Sequence, residues 1–227
     1  MRAFSVLQST LTCRFAFPDI LPALPAPGTP SFVQLCRGLK KFGLTADKVS
    51  IETPTTKLSD VRATLSLLND AVVLRVQYGW FELFVPRVIK GQEDSLVEIA
   101  AATLSAIAAL DEHAVEGQLV VHSLAHLALE SRDPDSYIAE HFASAKGIYE
   151  PDAFAFNVTR QPGEMRLSGR IVVARSVIEG AVFVDYTAEY QQPRFTSELV
   201  QQLRGDYNDS LLQLGLSESE PGGGGNG

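Results

Sequence analysis

The sequence predicts an α+β fold: a curved, mostly antiparallel sheet covered by two long amphipathic helices, near 93–112 and 195–214. Three observations predict it. Runs of β-branched and aromatic residues alternate with period two and are punctuated by turn residues. Two stretches repeat their apolar residues at helical spacing. The strands come in runs before each helix, not in βαβ alternation. That order occurs around 58–112 and again around 152–214, which allows a duplicated strand-strand-helix unit, although the halves share no convincing residue identity.

Ala3 to Phe17 is rich in strand-forming residues and stops at Pro18, so it reads as the first strand. Its apolar character does not make a secretion or lipidation signal. Gln8, Ser9 and Thr10 interrupt it, and Thr12 precedes Cys13 where a small Gly or Ala is wanted. Residues 18–30 carry Pro18, Pro22, Pro25, Pro27, Gly28 and Pro30 and form a connector, since proline removes backbone donors and restricts its predecessor.

Ser31 is placed to cap a short helix with Phe32, Leu35, Leu39 and Phe42 on one face and Gly43 as its stop. Val61 to Leu68 and Ala71 to Val85 read as strands joined by a tight turn at Asn69 and Asp70, with Gly79 marking a bend in the second. Ser95 and Glu98 form a capping-box pattern ahead of Leu96, Ile99, Thr103, Ile107 and Leu110.

Residues 118–130 fit either element and fit a strand better, because Gly117 and the pair Val120 and Val121 favour β entry. A short helix follows from Pro134 through Phe142. Phe154 to Arg160, Met165 to Ile178 and Ala181 to Tyr190 then form a three-stranded meander with turns at Pro162-Gly163 and Glu179-Gly180. The last helix starts near Thr196 behind a Phe195–Val200 staple and places Leu199, Leu203, Tyr207, Leu211 and Leu214 toward the sheet. Residues 1–216 are expected to make a single α+β domain and 217–227 a disordered Gly-rich tail.

With 27 acidic and 19 basic residues the formal charge is −8, a field that repels phosphate backbones and anionic membranes. Generic nucleic-acid binding is therefore not expected, and Arg37, Lys40 and Lys41 are too few to reverse the sign. No window is long and apolar enough for a spanning helix. Cys13 and Cys36 are not a Cys-x-x-Cys pair and read as reduced thiols of a soluble cytoplasmic protein.

One constellation bears on chemistry: His122, His126 and Glu130, at intervals of four. On a helix the three side chains stack about 6 Å apart, in metal-ligand geometry. On a strand, four residues span about 13 Å and the two histidines do not share a metal. The strand reading therefore leaves no metal site and no cofactor. No nucleophile elbow or phosphate-cradling loop is present, and Asp133 and Asp135 around Pro134 are accounted for as helix capping. Arg166 and Arg170 share a strand face from which they can pair with Asp185 or Glu189.

Tyr78, Trp80, Phe81 and Phe84 form an aromatic run, and Phe154 and Phe156 a second. Tyr78, Trp80, Phe81, Phe154 and Phe156 are accordingly the candidate residues for binding a partner or ligand. The leading expectation is a non-enzymatic interaction or adaptor protein in a cytoplasmic complex, with another protein or a second copy as partner. The alternative is a small-molecule-binding module with an apolar pocket lined by Trp80, Phe154 and Phe156. A third reading, a metal-dependent enzyme using His122, His126 and Glu130, requires those side chains to converge. A closed core favours the adaptor; a cavity of several hundred cubic ångströms with few inward polar groups favours the binder.

Overall fold

In the computed structural model the described residues are 1–53, 60–89, 91–131, 133–141, 152–160, 167–191 and 197–219. The first strand is β1 (Arg2–Ala16), and it forms the spine of the sheet. Nine further strands complete one sheet: β2 (Val49–Glu52), β3 (Arg62–Leu67), β4 (Val72–Val76), β5 (Trp80–Val85), β6 (Gln118–Leu129), β7 (Ala153–Arg160), β8 (Leu167–Arg175), β9 (Ala181–Gln191) and β10 (Leu216–Glu218). Their order is β2-β3-β4-β5-β1-β6-β9-β8-β7, antiparallel throughout, with β10 added parallel to β1. The α+β class and the antiparallel sheet follow the sequence expectation.

Alternation decides the faces. Phe15, Leu65, Leu74, Phe81, Leu119, Val184 and Tyr190 are fully buried and point to one side. There they meet buried residues of α1 (Pro30–Leu39), α2 (Glu93–Ala108) and α4 (Ser197–Gln213) in one core. The other face carries Arg14, Thr64, Arg75, Glu82, His122, His126, Asp185 and Thr187. A short α3 (Pro134–Glu140) begins at Asp133, whose carboxylate accepts from Ser136 N at 2.9 Å, so the capping account of this acidic pair holds.

Several boundaries differ from the sequence reading. Thr29, not Ser31, caps α1, with Pro30 in the first turn where its missing N–H costs nothing. The run 71–85 is two strands: Gln77 N donates to Trp80 O across a turn at Tyr78-Gly79, so Gly79 closes a hairpin where a bend was expected. The earlier hairpin does fall at Asn69 and Asp70, and Leu68 joins them at positive φ. Helix α2 starts at Glu93, which places Ser95 inside the helix and not at its cap. β2 and β10 carry too few residues to show a period, and β10 means that Ser217 and Glu218 are strand where a loose tail was expected.

The inward face of α4 buries Leu199 and Leu211, with Leu214 just past its end, but also Asp206 and Ser210. These polar groups are satisfied locally: Tyr190 Oη donates to Asp206 at 3.1 Å, and Ser210 Oγ to the Asp206 carbonyl at 2.7 Å. The expected turn at Pro162-Gly163, the staple residue Phe195, Thr196, Phe142, Arg166 and the glycine run after Glu220 lie outside the described residues.

Candidate functional site

Backbone pairing around β1 creates the site. β6 occupies one edge of β1 along Phe4–Ala16. The other edge is shared: β10 takes Arg2–Phe4 and β5 takes Leu11–Ala16. Between them Ser5–Gln8 is exposed, and the register with β6 slips by one residue between Val6 and Gln8. A bulge of this kind bends the strand and re-aims its side chains.

Above this gap, on the helix side, α2 and α4 meet over the middle of the sheet and leave a cavity of ≈300 Å³. Its floor is Leu11 and Cys13 of β1, Leu83 and Val85 of β5, and Val121, Ser123 and Ala125 of β6. Leu96 and Val97 line the α2 wall; Val200, Leu203 and Tyr207 line the α4 wall. Ser123 and Ala125 are the reason there is space, since they interrupt an inward row that is otherwise Leu119, Val121, Leu127 and Leu129.

Polar groups gather at the rim. Gln92, Glu93, Arg204, Asn208 and Glu218 stand there, and Arg204 Nη1 lies 3.5 Å from Glu93 Oε1. Inside, burial pushes the Cys13 thiol up to about 12, and the negative charge of Glu82 adds to it. The Tyr207 hydroxyl also rises to about 12, mainly through burial, with the Ser123 hydrogen bond opposing and the Glu218 charge reinforcing. Both groups are therefore neutral donors at physiological pH. Among the described residues the interior offers apolar surface and weak polar contacts from Cys13, Ser123 and Tyr207.

The residues singled out in the sequence do not line this cavity. Trp80 is on the opposite face, under the Arg14 guanidinium at 4.5 Å from its ring centre. Phe81 is fully buried and stacks on Phe15 at 5.5 Å. Tyr78 sits in the hairpin turn. Phe154 and Phe156 lie on β7 at the far edge of the sheet, where His141 stacks on Phe154 at 4.3 Å. The five are thus dispersed over four places, because strand pairing and not sequence proximity sets which rings meet.

His122, His126 and Glu130 are on β6 or just after it and each turns to a different partner. His122 Nε2 meets Asp185 Oδ1 at 2.8 Å, His126 Nδ1 meets Ser176 Oγ at 2.7 Å, and Glu130 accepts from Ser219 Oγ at 2.7 Å. Among the described residues no group of three such side chains converges as a metal site. Arg170 stands opposite Thr187, while Glu189 accepts from Gln118.

One convergence went unread: Tyr186, Tyr190 and Asp206 meet between β9 and α4, each exposed by 3% or less. Tyr186 also lines the cavity, packed edge-on against Tyr207 at 5.3 Å, and burial raises the Tyr186 and Tyr190 hydroxyls. The cavity itself left one trace in the sequence, the small residues Ser123 and Ala125 in a row of leucines and valines. Among the described residues no helix is long and apolar enough to cross a membrane. Compared with protein-family models, curated proteins and solved structures, the chain matches none.

Proposed function

We propose that this protein binds a small apolar molecule in the cavity beneath α2 and α4. The observation that carries the reading is a ≈300 Å³ space over the centre of the sheet, apolar at its floor and polar at its rim. A packed core tolerates few voids of this size unless they are occupied or used. The space has room for about ten methylene-sized groups, at roughly 30 Å³ each. At about 0.8 kcal/mol per buried methylene these offer about 8 kcal/mol, a micromolar Kd before ordering costs. Affinity in the tens of micromolar is the expectation.

The test is titration with N-phenyl-1-naphthylamine, an uncharged probe that fluoresces in apolar surroundings. Saturable binding at one site per chain supports the reading. A linear, non-saturating signal, or none, overturns it.

A second reading, the cytoplasmic adaptor, draws on the exposed segment Ser5–Gln8, where Val6 and Leu7 are 45% and 47% exposed in mid-sheet. An extended segment of a partner adding to this edge is a recognised mode of β-augmentation. The cavity opens beside the same segment, and its apolar floor ranks the small molecule ahead of the adaptor. The two strands-then-helix halves supply α2 and α4 to the cavity walls in like fashion, which supports treating them as copies of one unit.

A further inference from the structure

Resting on the cavity as a binding site, we infer that its ligand is an N-acyl amino acid derivative. Its acyl tail fills the cavity, and its one aminoacyl unit pairs with the backbone of Val6 at the gap in the edge of β1. The hydrogen bonds along that edge carry the inference. Arg2 N donates to Gly215 O, Phe4 O accepts from Ser219 N at 2.7 Å, and Ser9 O accepts from Val88 N at 3.1 Å. Ala3 O, by contrast, accepts from Glu130 N on the β6 side. Val6 stands opposite Leu127 two positions on from Phe4 opposite Leu129, so alternation aims its N–H and its C=O at the gap. Among the described residues neither group has a backbone partner.

Neither flanking strand supplies those partners. In the parallel register of β10 the donor due at the Val6 carbonyl is residue 221, two beyond Ser219, and that residue is a proline with no N–H to give. On the other side β5 ends at Val85 before Pro86, and the chain enters α2 at Glu93. From Phe4 to Ser9 the open edge measures about 16 Å at about 3.3 Å per residue, which suits a ligand with a single aminoacyl unit. Such a unit is the smallest group that answers Val6 twice. Its N–H and its C=O flank one Cα, as they do in a hydrogen-bonded strand pair, whereas a fatty alcohol or a simple ester lacks that arrangement.

The cavity accommodates the rest of the molecule. It is lined from three sides of the gap, by Val6 and Ser9 of β1, Glu218 of β10 and Val88 beyond β5, so its opening includes the free edge. Leu11, Leu83 and Val121 below make an apolar floor for the acyl chain. The amide stays at the edge, because only there does it exchange water for backbone partners; on the floor it would lose its hydration without return.

Three uncharged competitors test this by displacement of N-phenyl-1-naphthylamine from the full-length protein: N-octanoylalanine methyl ester, the same ester methylated at the amide nitrogen, and methyl decanoate. The N–H ester is expected to compete about five- to tenfold better than either of the others, the worth of about one hydrogen bond. Val6→Pro removes the N–H at the gap and leaves the β6 ladder intact. It is expected to weaken the N–H ester by a similar factor while the naphthylamine binds as before. If Val6→Pro does not fold, the comparison of N–H with N-methyl ester on the native protein decides alone. An N-methyl ester or methyl decanoate competing as well as the N–H ester, or a folded Val6→Pro protein with undiminished affinity for it, overturns the aminoacyl assignment while the binding site stands. Absence of saturable naphthylamine binding overturns the site and the assignment with it.

Discussion

Arg14 and Glu82 stand directly opposite one another on β1 and β5, and Arg14 donates to one Glu82 oxygen from both Nε (2.9 Å) and Nη2 (2.5 Å). Arg75, opposite Glu82 on β4, donates to the second oxygen at 2.7 Å. The row places a carboxylate with 4% side-chain exposure between guanidiniums with 50% and 32%, on the face without helices. Each guanidinium also lies over a ring, Arg14 on Trp80 and Arg75 on Phe84. Three strands are cross-linked by one side chain.

Glu82→Ala is therefore expected to destabilise the protein by about 1–3 kcal/mol, below the cost of breaking a fully buried pair because both arginines retain water. Urea unfolding measures it. A loss under about 0.5 kcal/mol would show that the row is ornamental.

Two glycines should respond in opposite directions to alanine. A Cβ on Gly169 would lie 2.4 Å from the Thr187 carbonyl oxygen, so Gly169→Ala must force β8 and β9 apart, costing about 2–4 kcal/mol. Gly205 lies within α4 with nothing inside 4 Å, and Gly205→Ala is expected to stabilise by about 0.5–1 kcal/mol. Thermal unfolding of the two variants side by side checks the pair of signs.

Alkaline pH should unfold the protein. Burial raises the Cys13 thiol from 9.0 to about 12 and the Tyr207 hydroxyl from 10.0 to about 12, and it raises Tyr137, Tyr186 and Tyr190 as well. The folded chain holds these protons more tightly than the unfolded chain does. Their contribution is complete below about pH 9 and drains away as pH climbs toward about 12. Tyrosinate absorbance from these four residues should accordingly appear together with loss of the far-ultraviolet dichroism. Four tyrosines ionising in a still-folded protein near pH 10 would contradict the burial account.

Ala125→Leu adds three carbons to the cavity floor, where space already exists, so Tm should hold or rise while probe affinity falls at least about tenfold. Native affinity in a stably folded Ala125→Leu protein would place the probe elsewhere.

What the sequence read correctly is what one strand or one helix decides alone. The alternation of Leu119, Val121, Ala125, Leu127 and Leu129 with His122 and His126 fits a half-buried strand regardless of its neighbours, and β6 is that strand. Asp133 caps α3 because a capping carboxylate needs only the backbone three residues on. Gly79 was misread for the complementary reason: a glycine in an apolar run suits a bend or a hairpin equally, and the partners of β4 and β5 made the choice.

The sequence by itself determined the class of fold, the faces of its long strands and the dispersal of His122, His126 and Glu130, since each depends on periodicities within one segment. Only the tertiary structure decided where β1 runs, which carboxylate is buried between arginines, and where the sheet leaves space. Glu82 meets Arg14 across 68 residues, and the cavity forms because α2 and α4, from opposite halves of the chain, close over the small side chains of Ser123 and Ala125. Packing between distant segments carries no period along the chain, and so no local pattern records it.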